Sequence, residues 1–429
     1  MRMAVALFGI LILILLLILI CAEFRRKAGS LHSELLHLAA MKLKHGLHLA
    51  YCTNIHRGES WGQTFESLQK YVLAVRNRLG TKSPYAIGLR LGADAARELS
   101  EPATLTGFRR WLEAEQCYVF TINGFPYGRF HGTRVKEQVY APDWTTLERV
   151  AYTNLLFDLL GEIVPAGVEG SVSTVPVSFK EFIKSPAQVR AARENLWKSV
   201  EHIERVSRRT GKTLHLGLEP EPLCYLETSA EAVDFIEQMR ADRPGDLRLD
   251  EHLGINYDCC HLALQYESPR EALGRLRQHK IKVSKLHLSN ALKVKPTAEV
   301  RQALRSFADE VYFHQVLARS ADGSITRHKD LDDALALHNR LPPALTDEWR
   351  IHFHIPLHCP PTPLFGTTAD HVLGVLDVLK ETPSLCSHLE METYTWEVMP
   401  SEMKKRNVVD QLVDEYLWTI AELGKRGLA

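Results

Sequence analysis

Past residue 42 the chain alternates short apolar runs with longer amphipathic stretches, and no other feature constrains its fold as much. The runs His45–Tyr51, Tyr85–Leu91, Tyr118–Asn123, Gly170–Val175, Leu214–Glu219, Gly254–Asp258, Val283–Leu288, Arg350–Ile355 and His388–Thr393 read as strands. Between them Thr64–Leu79, Thr145–Leu160, Pro186–Thr210 and Ser229–Met239 read as helices. Such repetition predicts βα units around a parallel sheet. The expected class is α/β, a (β/α)8 TIM barrel with insertions. Nine strand candidates are one too many for it, so either Arg350–Ile355 belongs to an elaborated loop or one early strand is misassigned. Val311–Asp333 reads as an inserted hairpin turning at Asp322-Gly323. No Gly-rich phosphate fingerprint follows the first strand, which argues against a dinucleotide fold.

Composition narrows the function. Lys+Arg and Asp+Glu both number 52, and a chain without a basic excess is poorly suited to bind phosphate backbones, so no nucleic acid is expected. The 8 cysteines form no C-x-x-C pair, and Cys259 adjoins Cys260, which points to reduced thiols. Histidine, at 20, is about twice ordinary usage. Residues 3–22 form an uncharged run of a length that spans a bilayer, followed by Arg25, Arg26 and Lys27. As a membrane anchor it would leave the rest in the cytoplasm. Met41 offers the rival reading, a true start with residues 1–40 as an upstream extension. Both divide the chain into a hydrophobic segment and linker, 1–40, and a barrel, 41–429.

Strand parity then sorts the side chains, because successive residues point to opposite faces. In Leu214–Glu219 the leucines share one face, and His215, Gly217 and Glu219 share the other. Gly254, Asn256 and Asp258 align likewise, as do Lys285 with His287 and Glu390 with Glu392. With the apolar faces turned to the outer helices, four strands end on inward metal-ligand types: Glu219, Asp258, His287 and Glu392. Active sites of such barrels sit at that edge. Any one of them alone reads as an ordinary polar residue at a loop mouth; four in succession do not. Three carboxylates and one imidazole suit a divalent ion such as Mn²⁺, Mg²⁺, Co²⁺ or Zn²⁺, and without a cation the carboxylates would repel one another. Lys285 is placed to bind a substrate oxygen or to pair with a carboxylate.

Leu218-Glu219-Pro220-Glu221-Pro222, the D-x-x-H of Asp258 to His261, Lys285-Leu286-His287-Leu288-Ser289 and Leu389-Glu390-Met391-Glu392-Thr393 occur in the order of the xylose-isomerase-like superfamily, which the chain resembles over residues 43–400. That group includes sugar isomerases, ketose 3-epimerases and endonucleases of the apurinic type. With Asn123-Gly124-Phe125-Pro126-Tyr127-Gly128 and Glu392-Thr393-Tyr394-Thr395-Trp396, the chain more closely resembles EboE. Members of that branch are described as metabolite-traffic proteins, encoded beside a prenyltransferase and other enzymes. The resemblance implies Glu219, Asp258, His287 and Glu392 as ligands of one metal ion, with Glu219 and Glu392 doubling as acid and base. It implies His261 as a substrate contact, or a second-metal ligand in the endonucleases. Glu221, His354 and Lys285 are expected on the substrate side. His352 stands where the endonucleases supply the Asp of an Asp-x-His pair, a departure that counts against a three-metal cluster. The expected function is a metal-dependent isomerase or epimerase of a sugar- or cyclitol-like metabolite, serving the processing or transport of a secondary metabolite with other proteins of an export pathway. The alternative is a non-catalytic carrier barrel; a DNA-repair endonuclease comes last.

Overall fold

The computed structural model describes residues 43–429 except 82, 132–134, 309–310, 339–347 and 398–406. The anchor expected at residues 3–22 and the alternative start at Met41 lie outside the described residues. Among those described, no helix is long and apolar enough to cross a membrane.

In chain order come β1 His48–Tyr51, β2 Tyr85–Arg90, β3 Cys117–Asn123, β4 Gly170–Thr174, β5 Leu214–Leu218, β6 Leu253–Asp258 and β7 Lys282–Leu288. There follow β8 Asn290–Val294, β9 Val316–Arg319, β10 Ile325–His328, β11 Glu348–Ile355, β12 Gly366–Thr367 and β13 His388–Met391. One eight-stranded sheet has the order β1-β13-β7-β6-β5-β4-β3-β2, and its ladders are parallel. Its ends meet at the single parallel bridge Cys52–Gly88, so the barrel is nearly closed.

The helices follow from local chemistry. The 25-residue helix Pro186–Thr210 starts with a Ser185/Gln188 capping box and Pro186 in its first turn, and it stops at Gly211, whose φ of 67° is left-handed. Val189, Ala192, Leu196, Val200 and Ile203 recur at helical spacing and are its buried stripe. They join a core that includes Leu214, Leu216 and Leu218, the outward face of β5.

The ninth strand candidate finds its place outside the barrel. Arg350–Ile355 lies within β11, in a second, antiparallel sheet of order β10-β9-β11-β8-β12 inserted between β7 and β13. The expected hairpin is β9–β10, with Gly323 at φ 85°. β8, β11 and β12 extend that hairpin into a sheet. Leu292, Val316, Trp349, Ile351 and Phe353 give that sheet a core of its own.

Candidate metal centre

Four consecutive members of the barrel order deliver the expected side chains to one point. Glu219 follows β5, Asp258 ends β6, His287 lies in β7 and Glu392 follows β13. One donor atom from each lies within 4.8 Å of the others, and all four residues are buried. Asp258 also caps the helix Cys259–Leu264: its Oδ1 accepts from the His261 amide at 2.9 Å and from the Ser289 hydroxyl at 2.8 Å. Its Oδ2 has no hydrogen-bond partner and sits 3.4 Å from His287 Nδ1. Glu392 is pinned the same way, Oε1 accepting from Asn54 at 2.8 Å and Asn123 at 3.1 Å, with Oε2 3.4 Å from His287 Nδ1. Glu219 Oε1 is 3.1 Å from that nitrogen, and its Oε2 is unpartnered.

The tautomer of His287 follows from its other side. Nε2 lies 2.8 Å from Glu390 Oε2, and an ionised carboxylate only accepts, so Nε2 carries the hydrogen. A neutral His287 therefore aims the Nδ1 lone pair at three carboxylates. That arrangement needs a cation, either a proton on Nδ1 or a metal ion. In the absence of metal the proton takes the role: burial depresses His287, but Glu392, Glu219 and Asp258 raise it well above the ordinary imidazole value. Burial raises Glu392; His287 opposes, Glu219 and Asp258 add, and the carboxyl ends at about 8. Two orphaned oxygens, a directed lone pair and an O₃N donor set fit a divalent ion of the Mn²⁺, Mg²⁺, Co²⁺ or Zn²⁺ kind.

Beside this cluster, three more histidines converge. His261 Nδ1 is 3.1 Å from the Pro220 carbonyl, and His354 Nδ1 is 3.1 Å from the Glu392 carbonyl. His352 Nδ1 is 2.6 Å from Gln315 Oε1, while that amide's nitrogen donates to Tyr140 Oη and to the Pro222 carbonyl. Each Nδ1 is thus the donor, which leaves the Nε2 atoms of His352 and His354 bare acceptors; burial lowers His261, but Asp258 and Glu221 raise it above its ordinary value. Yet His261 Nε2 and His352 Nε2 are 3.1 Å apart, as are the Nε2 atoms of His352 and His354. Burial holds His354 down at about 4 and, with His261 and His354 beside it, His352 well below its usual value. The neutral lone pairs of His352 and His354 at this spacing match cis ligands on an ion with bonds of about 2.0–2.1 Å.

A recess of ≈ 550 Å³, counting its open mouth, lies over both groups and is lined in part by Glu219, Glu221, His261, His352 and Glu392. Glu221 is buried, accepts from Tyr140 Oη at 2.8 Å, and burial pushes it up to about 7. Two residues expected on the substrate side lie off the recess wall, and for Lys285 it is the alternative, pairing with a carboxylate, that is realised. Lys285 does not line the recess: it lies deeper in the barrel, its Nζ 2.6 Å from Glu390 and 3.2 Å from Ser173 Oγ. His354 does not line it either, being turned toward His352 with its back to the Glu392 carbonyl. The loop Asn123–Gly128 contributes Asn123, Phe125 and Pro126 to the wall. Asn54, Tyr140, Gln315 and Tyr394 were not anticipated. They come from loops and from the insertion, where no strand parity marks an inward side.

No protein-family model matches the chain, and no curated protein matches it in sequence. Solved structures do. A xylose isomerase-like TIM barrel protein from Mycobacterium smegmatis in complex with magnesium superposes with TM-score 0.50 at 15% identity, over 91% of this chain and 100% of that one. A D-psicose 3-epimerase from Clostridium cellulolyticum H10, solved with D-tagatose, gives 0.47 at 12%, covering 88% and 98%. An L-ribulose 3-epimerase gives 0.44 at 12%, covering 89% and 98%. With the strand order above, the first of these likenesses defines the class: an eight-stranded α/β barrel with the fold of the xylose isomerase-like proteins.

Proposed function

We propose that the protein is a divalent-metal-dependent isomerase or epimerase that moves a proton at the carbon beside a carbonyl in a small, oxygen-bearing metabolite. The observation that carries this reading is the convergence of Glu219, Asp258, His287 and Glu392 at the strand ends, with the lone pair of His287 turned on three carboxylates. A bound ion would polarise the carbonyl and the neighbouring hydroxyl. Asp258 and His287 hold the centre, each fixed by a partner on its far side. Glu219 and Glu392, which reach the recess from strands separated by β6 and β7, exchange the proton: one carboxylate takes it from carbon and the other returns one, so the formula of the substrate is unchanged. His352, paired with His261 or with His354, is read as part of a second cation site. Glu221 faces the substrate.

The resemblance of Asn123–Gly128 and Glu392–Trp396 to EboE supports placing this chemistry in the traffic of a secondary metabolite, with other proteins of such a pathway as partners. Metal analysis of the full chain tests the centre. The wild type is expected to hold two equivalents of divalent ion, Glu219→Gln/Glu392→Gln to lose one, and His352→Gln/His354→Gln to lose the other. A wild type that holds none and cannot be reloaded overturns the isomerase mechanism. Full occupancy without solvent-proton exchange into any α-hydroxyketone, whether ketose, cyclitol ketone or aryl ketol, leaves the carrier barrel.

A further inference from the structure

Every recess of a barrel enzyme must satisfy the polar atoms of what it binds, and the wall of this one has little left to offer. Phe125, Phe130, Val139, Tyr312, Phe313 and Tyr394 form much of it. Phe130, Tyr312 and Tyr394 pack as a mutual triad with ring centroids 5.2–5.4 Å apart. Their hydroxyls are already engaged: Tyr312 Oη donates to the Phe130 carbonyl at 3.0 Å, and Tyr394 Oη lies 3.4 Å from His352 Nε2. Tyr140 Oη is committed to Glu221. Lys136 is the one Lys or Arg among the described lining residues, and its Nζ lies 2.6 Å from Asp330. Outside the metal centre and its histidines, Asn54 and Asn123 donate to Glu392, Gln315 donates to Tyr140, and Glu221 Oε1 takes the Tyr140 hydroxyl. That leaves the second oxygen of Glu221, suited to one hydroxyl.

From this wall we infer that the substrate is an uncharged α-hydroxyketone whose body, beyond the carbonyl and its adjacent hydroxyl, is flat and apolar, rather than an open-chain polyol or a sugar phosphate. The inference rests on the isomerase reading and narrows it. The two oxygens face the carboxylate cluster and Glu221 at the floor, and the aromatic triad covers the rest of the molecule. Hydroxyls strung along a hexose would trade water for aromatic faces and gain no partner, an arrangement that binding disfavours. A phosphate would meet a lysine already neutralised by Asp330. Tyr312, Phe313 and Gln315 come from the insertion, so the element that distinguishes this barrel also builds its selectivity.

Three ligands that share a ketol head separate the alternatives: 2-hydroxyacetophenone, dihydroxyacetone and dihydroxyacetone phosphate. Each is titrated into the Co²⁺-loaded full chain, and the visible spectrum of the bound ion reports ligation. The aryl ketol is expected to half-saturate at a concentration about tenfold or more below that of dihydroxyacetone, the effect of covering one ring, and the phosphate should give no gain. Phe130→Ala should erase most of that preference by weakening the aryl ketol far more than dihydroxyacetone; Tyr312→Leu, which keeps an apolar surface, should retain it. Equal or tighter binding of dihydroxyacetone or its phosphate overturns the inference while leaving the isomerase reading intact. Silence from all three on a Co²⁺-bound protein overturns both.

Discussion

Glu390 and Glu392 show how one residue of spacing on a strand face separates two roles. Both point into the barrel, and strand alternation cannot distinguish them. What differs is depth, because two residues of strand advance about 7 Å along the barrel. Glu392 reaches the ligand cluster. Glu390 lies below it, accepting from His287 Nε2 at 2.8 Å and from Lys285 Nζ at 2.6 Å. Burial would raise its carboxyl, but Lys285 and His287 more than offset that and bring it to about 2. It therefore stays ionised and locks the imidazole with its lone pair toward the ligands. Glu390→Gln is expected to weaken metal binding by about 10–100-fold, read by competition with a chromophoric chelator. It also leaves the buried ammonium of Lys285 without its counter-charge, which lowers the melting temperature. Glu390→Gln/Lys285→Met should recover that temperature but not the affinity. Recovery of both would make Glu390 a purely structural ion-pair partner.

At the scale of elements, the barrel's weakest join is the seam between β1 and β2, where Cys52–Gly88 is the one bridge. A Cβ at Gly88 would collide with Glu390 Oε1 and approach the Tyr51 carbonyl to 2.8 Å. Tyr51 is strand backbone and Glu390 is tied to Lys285 and His287, so neither yields cheaply. Gly88→Ala is expected to cost about 1–3 kcal/mol. Gly107, in the helix Pro102–Ala114 with nothing within 4 Å of an added Cβ, gives the opposite sign, a gain of about 0.5–1 kcal/mol. Urea midpoints for the two variants test the contrast; a neutral Gly88→Ala would mean the seam opens freely. The barrel strands were legible in the sequence because each is a short apolar run with helix signals on both sides. The inserted sheet was mostly not legible. Only Ser289 separates β7 from β8, and no Gly or Pro marks a break between Leu286 and Leu292. The chain turns there because Ser289 donates its hydroxyl to Asp258, a contact 31 residues away that no local pattern contains.

Across the whole molecule, the final helix Val408–Lys425 ties the outside of the barrel to its working end. Glu415, buried on that helix, accepts from the Thr393 hydroxyl at 2.7 Å and from Gln411 at 3.1 Å, and Thr393 follows Glu392 directly. Burial pushes Glu415 up; Thr393 and Gln411 oppose, neighbouring Asp414 adds, and the net value is about 8. The folded chain thus prefers the protonated carboxyl, whereas the unfolded chain loses the proton near the ordinary value of 4.5. Stability from this group is fully present below that value, and it is lost as pH rises toward 8. Glutamine keeps the shape and hydrogen-bonding capacity of the neutral acid and removes the titration. Glu415→Gln should therefore melt with the wild type at pH 4 and several degrees above it at pH 9. Scans in excess chelator keep the metal centre's own titration, which the two proteins share, from entering the difference. A constant gap across that range would mean that Glu415 keeps the same charge folded and unfolded, and that the helix is held by its apolar face alone.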